Sequence, residues 1–250
     1  MKNMHVYNLI APPPFMEDYI KTFWTFSYDQ FVKQKYSILP DGYFDLMYIF
    51  EGDKLVNTSL TGLWENKVDI TYTKPVKVLG IRFKPAAATT IFKFPINEII
   101  NSSIALDNNE LIPSAEQLAN IVPFKTSDGI RLIQDYYSDK ISRNVDSGKL
   151  NLFKHLDSSQ GLQSLDSLTL DMGISPRQLQ RKINNIIGIP PKKYLKILRF
   201  RNYCENAVAD TYYDQSHLIK DFKQFCEESP EKIKNKKGVR FLQYNNFFNK

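Results

Sequence analysis

The chain has 250 residues, 42% hydrophobic and 13% aromatic, enough for one large core or two ordinary ones and too much for a disordered chain. Its net charge of +6 is uneven: residues 1–150 hold 16 Lys/Arg against 17 Asp/Glu, whereas residues 151–250 hold 17 against 10. A basic C-terminal part joined to a neutral N-terminal part points to a polyanion met by the former alone, although charge by itself is equally served by solubility.

Two cysteines, Cys204 and Cys226, are too few for a disulfide framework or a metal-ligand set. The opening Met1-Lys-Asn-Met-His5 is polar, and no window approaches the roughly 18 apolar residues of a membrane span. The expectation is a reduced, cytoplasmic, soluble protein with no membrane contact and no cofactor.

Residues 1–14 are expected to be a lead-in ending at Pro12-Pro13-Pro14. Phe15, Tyr19, Phe23 and Phe26 then share one side of an expected amphipathic helix. Strand signals follow. Leu39-Pro-Asp-Gly42 is turn chemistry, leading into the apolar run Tyr43–Phe50, and Glu51-Gly-Asp53 is a second turn. Leu55–Trp64, Lys67–Lys74 and Val76–Lys84 are further short strands, rich in β-branched and aromatic residues. Ala86–Phe92, Ser114–Ile121 and Thr126–Ile141 are helical in propensity, the last with Ile130, Ile133, Tyr136 and Tyr137 on its buried side. Tyr43, Tyr48, Trp64 and Phe83 could line a pocket, but aromatic strand residues are more often core.

The polar run Ser142–Gly148 marks a boundary, giving an expected β-rich domain with a helical tail over 1–145 and a helical domain over 146–250. Leu150–Leu156 is a short helix. After Gly161 comes another, with Ser164 as its cap and Leu165, Leu168 and Met172 inside; Asp171-Met-Gly-Ile174 is a tight turn. The stretch Ser175–Gly188 then has both helix ends marked. Ser175 is an N-cap, Pro176 fits the first helical position, and Gly188 suits the left-handed closing residue. Leu179, Ile183, Ile186 and Ile187 form its core stripe, while Arg177, Gln180, Arg181 and Asn184 form a donor-rich face without an acid. Helix, short turn, donor-faced helix is the sequence form of a helix-turn-helix. Pro191 starts a longer helix reaching about Ala207, whose Lys192, Lys193, Lys196, Arg199 and Arg201 suit phosphate contact.

An internal repeat strengthens this pattern. A shift of 39 residues carries Ser175 onto Asp214, Leu179 onto Leu218, Arg181 onto Lys220, Ile183 onto Phe222 and Pro191 onto Pro230. Leu218, Phe222 and Phe225 would face in, and Ser216, Lys220 and Lys223 out. Two such units read successive major grooves about 34 Å apart.

These residues resemble the AraC/XylS transcription regulators. The resemblance rests on Ser175-Pro-Arg-Gln-Leu-Gln-Arg181 with Gly188-Ile-Pro-Pro-Lys192, and on the more specific Tyr212-Tyr-Asp-Gln-Ser-His-Leu-Ile-Lys-Asp-Phe-Lys223 with Ser229-Pro230. Leu39-Pro-Asp-Gly42 and Gly80-Ile-Arg-Phe-Lys-Pro-Ala-Ala-Ala88 look like the small β-rich domain, of the DUF6597 kind, that precedes the DNA-binding part in one branch of this family. The resemblance implies an α+β N-terminal domain, a small β-rich sheet or barrel plus helices. An all-α C-terminal domain with two helix-turn-helix units follows. It implies sequence-specific binding of double-stranded DNA, read mainly through helix 175–187 by Arg177, Gln180 and Arg181, with Gln178 and Lys182 beside them. Helix 214–225 reads secondarily, through Gln215, Ser216, His217 and Lys220. A small-molecule effector, a homodimer and contact with RNA polymerase are the partners such a regulator implies.

The sequence departs from the family where the second unit begins. The two reading helices stand closer than the family places them, and Thr211 stands where the family has Gly. Either the connecting helix is short or the second unit lacks most of its scaffold helix, for which Ala207–Thr211 would be the last turns. The second unit is therefore expected to be truncated, weakened or rotated. The alternative function is a protein-interaction or accessory regulatory module with a degenerate second unit. An enzyme is disfavoured: there is no Gly-rich phosphate loop, nucleophile motif or metal-ligand spacing, and His5, His155 and His217 lie far apart.

Overall fold

The computed structural model of the chain describes residues 5–94, 96–106, 112–113, 126–143, 147–206, 212, 214–235 and 240–241. A β-rich N-terminal region is followed by a helical C-terminal region. The strands are β1 (His5–Ile10), β2 (Ile20–Tyr28), β3 (Gln34–Ile38), β4 (Phe44–Glu51), β5 (Lys54–Thr61), β6 (Val68–Tyr72), β7 (Val76–Phe83), β8 (Ser103–Ala105) and β9 (Arg240–Phe241). They form a six-stranded sheet in the order β1-β2-β7-β4-β5-β8 and a three-stranded sheet in the order β6-β3-β9. The short β9 runs parallel to β3, which places residues 240–241 beside the N-terminal region.

Strand β7 is central, paired antiparallel with β2 on one side and β4 on the other. The turns expected at Leu39–Gly42 and Glu51–Asp53 are present, with Gly42 and Gly52 at positive φ. The three strands expected between Leu55 and Lys84 form as β5, β6 and β7.

Two expectations at the N-terminus fail. The lead-in contains strand β1, and the expected helix from Phe15 to Phe26 is instead a short 3-10 turn at Pro14–Met16 followed by β2. The cause is that β2 is covered on both faces. Phe23 enters the large core while Trp24, Phe26 and Tyr28 enter a second core beneath the small sheet, where Phe26 packs on Tyr36 and Tyr72 at ring distances of 5.2 Å. A strand buried on both sides loses its alternation. Gly80 of β7 lies against the Trp24 indole, so closely that a Cβ there would fall 2.0 Å from it.

The other face of the large sheet is covered by a π-helical turn at Ala88–Phe92 and by helix α1 (Thr126–Arg143). Phe83 contacts Phe92 at 4.9 Å and Tyr137 at 5.3 Å. Ile130, Ile133 and Tyr137 are buried as expected, with Tyr136 partly so. Tyr43, Tyr48 and Phe83 are core residues, and Trp64 is half-buried. The expected helix at Ser114–Ile121 lies outside the described residues.

Six further helices follow among the described residues: α2 (Ser147–Ser158), α3 (Leu165–Asp171), α4 (Pro176–Ile187), α5 (Pro191–Asn206), α6 (Gln215–Cys226) and α7 (Pro230–Asn235). One apolar core runs from the large sheet through α1 into these helices. Buried charge is paired at the junction. Arg82 donates from Nε to Asp45 Oδ1 at 3.2 Å and lies 3.4 Å from Asp41, and the Trp24 indole N–H donates to Asp45 at 2.8 Å. Arg201 of α5 donates to the Asp41 carbonyl at 3.2 Å and pairs with Asp157 of α2. No helix among the described residues is long and apolar enough to cross a membrane.

Candidate nucleic-acid interface

Helix α4 begins with a capping box. The Ser175 hydroxyl accepts from the Gln178 N–H at 3.2 Å, and the Gln178 side-chain oxygen accepts from the Ser175 N–H at 2.8 Å. Gly188 ends it at φ 69°. Leu179, Ile183, Ile186 and Ile187 are buried, and Arg177, Gln178, Gln180, Arg181 and Lys182 are all exposed. Together with Ser175, Asn184 and Asn185 they line a shallow hollow, Lys182 standing beside it. Asn185, one turn beyond Arg181, was not singled out by the sequence; the i, i+4, i+8 run from Arg177 is the signal that reaches it. Among the described residues no carboxylate lies within ion-pair distance of Arg177, Arg181 or Lys182. Gln178 alone has its acceptor committed, to the cap.

The back of α4 is held by α3 and by the N-terminal region. The four residues 172–175 join α3 to α4, and Ser164 caps α3 by accepting from the Ser167 N–H. At the far end, Gly188 meets the 3-10 turn Ile96–Ile99 and Ile100. A Cβ at Gly188 would fall 2.3 Å from Ile100 Cδ1 and 2.9 Å from Asn97 Cβ. Helix α4 is thus seated against the β-rich region.

Helix α5 differs from the sequence expectation. Only Lys192 and Lys196 of its five cations are exposed. Lys193 pairs with Glu65 at 2.8 Å, Arg199 with Asp221 at 2.8 Å, and Arg201 is 5% exposed on Asp157. Three of the five expected phosphate contacts are therefore structural ties, two of them to distant elements that sequence spacing does not reveal.

Helix α6 is the 39-residue echo of α4 (Ser175 onto Asp214) and keeps its two faces. Phe222 and Phe225 are buried, Leu218 is half-buried, and Gln215, Ser216, His217, Lys220 and Lys223 are exposed. Its cap, however, turns back two of the four expected readers. Asp214 accepts from the Ser216 hydroxyl at 2.6 Å and from the His217 N–H at 2.8 Å, and it meets His217 Nδ1 at 2.9 Å. The Ser216 hydrogen bond, then that of the His217 N–H, holds the Asp214 carboxyl well below the usual carboxylate range. Gln215 and Lys220 are left pointing outward. The residues 207–211, expected as the last turns of a second scaffold helix, lie outside the described residues. Support for α6 comes from α5: Phe200 contacts Phe222 and Phe225, each at 5.1 Å, and Tyr203 contacts Phe222 at 5.7 Å.

Residues 8–105 match a family described as a domain of unknown function, DUF6597. That match runs from within β1 to the end of β8 and leaves α1 to α7 outside it. No curated protein matches the chain. Among solved structures, the chain is similar to ToxT from Vibrio cholerae O395, at 10% identity and a TM-score of 0.44, covering 92% of this chain and 97% of that one. A second structure of ToxT from Vibrio cholerae, in a P21 form, is similar at 11% identity and a TM-score of 0.46, with the same coverage. Among the described residues no group of three or more His, Cys, Asp or Glu is placed to hold a metal ion.

Proposed function

We propose that the protein is a sequence-specific DNA-binding transcription regulator that reads the major groove mainly through α4 and secondarily through α6. The observation that carries this reading is the face of α4. Arg177, Gln180 and Arg181 stand exposed on one side with no acid to neutralise them, while the apolar side is locked into the core. An α-helix fits the major groove, and Arg to guanine and Gln to adenine are the pairings its base edges offer. Exposed Lys192, Lys196, Lys220 and Lys223 supply the flanking cations that neutralise phosphates. The motifs that resemble AraC/XylS regulators fall on α4 and α6, which adds to the reading. A cytoplasmic location, a small-molecule effector and contact with RNA polymerase belong to the same proposal.

A second reading is a protein-interaction or accessory module, and the Asp214 cluster favours it. A reading helix whose Ser216 and His217 are drawn to a carboxylate presents little to a base. Selection of duplexes from a random pool with the full chain, followed by salt titration, separates the two. The regulator reading expects an enriched motif, a steep fall of affinity with salt, and loss of roughly 1–3 kcal/mol on Arg181→Ala or Gln180→Ala. No enriched motif and a flat salt response would sink it.

A further inference from the structure

We infer that Lys67, in the turn before β6, is a positioning residue for α6, holding its C-terminal end against the β-rich region through Glu227. The tie itself is independent of DNA, and its consequence for DNA rests on the proposed regulator reading. The 39-residue shift that carries Ser175 onto Asp214 also carries Gly188 onto Glu227. Both residues close a 12-residue helix in the left-handed conformation, Gly188 at φ 69° and Glu227 at φ 65°. In each, the backbone N–H donates to the carbonyl four residues back, that of Asn184 at 2.8 Å and that of Lys223 at 3.1 Å. Glycine is the residue this position favours, because it has no Cβ to crowd the backbone. A glutamate there bears the strain of its Cβ, and its side chain supplies something glycine lacks.

What it supplies is a carboxylate 2.7 Å from Lys67 Nζ. Lys67 is a prepared partner. Its side chain is only 17% exposed, and its Nζ also lies 3.5 Å from Asp69 of β6. Asp69 is held in turn by Lys35 at 2.7 Å and by the Ser37 hydroxyl at 2.5 Å, both on β3. Exposed ion pairs are generally weak, because two long side chains must be ordered to make them. Here Lys67 is ordered already, so only Glu227 loses freedom when the pair forms.

The contacts of Asp221, Phe222 and Phe225 tie α6 to α5, whereas the Lys67–Glu227 pair ties it to the β-rich region. Helix α4 reaches the same region through its own closing residue, where Gly188 lies against Ile100 and Asn97. The β-rich region therefore touches both helices at positions that the repeat makes equivalent. Two helices held at matching points by one body keep one separation and one angle. On the proposed reading, that separation sets which spacing of half-sites the chain accepts. The β-rich region then enters specificity without touching a base.

The test uses the full chain, first without DNA. Lys67→Met should speed amide exchange over 223–227 by about twofold to fivefold, the range an exposed ion pair supports, and leave 184–188 unchanged. The second measurement takes duplexes recovered by random-pool selection and respaces their half-sites one base pair at a time. The native chain should prefer one spacing. Lys67→Met and Glu227→Gly should each flatten that preference, the double variant should flatten it no further, and binding to the half-site of α4 alone should stay the same. Glu227→Gly is the sharper variant. Glycine suits φ 65°, so a residue that merely ended the helix could be replaced by it with no change in spacing preference. Unchanged exchange in Lys67→Met, a native chain indifferent to spacing, or an unaltered preference in Glu227→Gly would overturn the inference. Faster exchange in a chain that selects no duplex would uphold the tie and sink the regulator reading instead.

Discussion

Arg199 of α5 and Asp221 of α6 meet at 2.8 Å, with Asp221 only 3% exposed. The pair ties α6 to α5. Beside it, the Arg199 guanidinium also lies 5.0 Å from the Tyr212 ring, while Tyr203 packs against Tyr212 at 5.7 Å. Among the described residues, α6 is therefore held by α5 through an ion pair as well as through its aromatic contacts.

Removing one partner should loosen α6. Asp221→Ala leaves the part-buried Arg199 uncompensated and is expected to lower stability by about 2 kcal/mol, since water reaches only part of a charge stripped of its partner there. Faster amide exchange over 215–226 than in α4 would accompany it. Arg199→Met with Asp221→Leu should recover most of the loss. An Asp221→Ala chain with unchanged exchange would mean that Phe222 and Phe225 hold the helix unaided.

Asp41 predicts a pH dependence. Burial raises its pKa from 3.8 to about 6; the nearby Arg82 opposes this shift and Asp45 adds to it. The folded state thus holds this proton more tightly than the unfolded chain does. The resulting stability is full below about pH 4 and is lost as pH rises through about 6. At one unit per 1.36 kcal/mol the swing is about 3 kcal/mol. Denaturant titrations at several pH values should show this fall in the native chain and a flatter profile in Asp41→Asn. Equal slopes in both would exclude Asp41 as the source.

The ends of α4 were legible because capping chemistry is local: Ser175, Pro176, Gln178 and Gly188 act within a turn of where they stand. The hairpin of β4 and β5 was legible for the same reason, through Glu51-Gly-Asp53. Strand β2 was not, because its burial on two faces erased the period and left the aromatic spacing of Phe15, Tyr19 and Phe23 to suggest a helix. The cations of α5 misled for a different reason. Whether Lys193 and Arg201 are free depends on Glu65 and Asp157, which only the tertiary fold brings near. On α6 the recognition pattern was visible, but not that Ser216 and His217 would turn to their own cap.

Gly188 joins α4 to the β-rich region and should resist substitution. Gly188→Ala places a Cβ on a residue at φ 69° and against Ile100. The backbone strain alone is worth about 1 kcal/mol, and relief of the clash requires α4 to shift. A lowered thermal midpoint together with weakened duplex binding is expected. Ile100→Ala added to Gly188→Ala should restore part of both. Duplex affinity unchanged in Gly188→Ala would show that the seat of α4 on the β-rich region does not govern reading.

On the proposed regulator reading, Asp214 is expected to set how strongly α6 takes part. Asparagine caps a helix as well as aspartate does, because its side-chain oxygen still accepts from the first-turn N–H groups. Asp214→Asn should therefore leave stability near that of the native chain. It removes a negative charge from the end of α6 that, on the proposed reading, approaches phosphate, and it weakens the hold on Ser216 and His217. Binding to a duplex carrying both half-sites should tighten severalfold. Binding to the half-site read by α4 alone should not change. If both change together, the carboxylate acts through overall charge and not through α6. If neither changes, the second helix takes no part in reading, and specificity rests on α4.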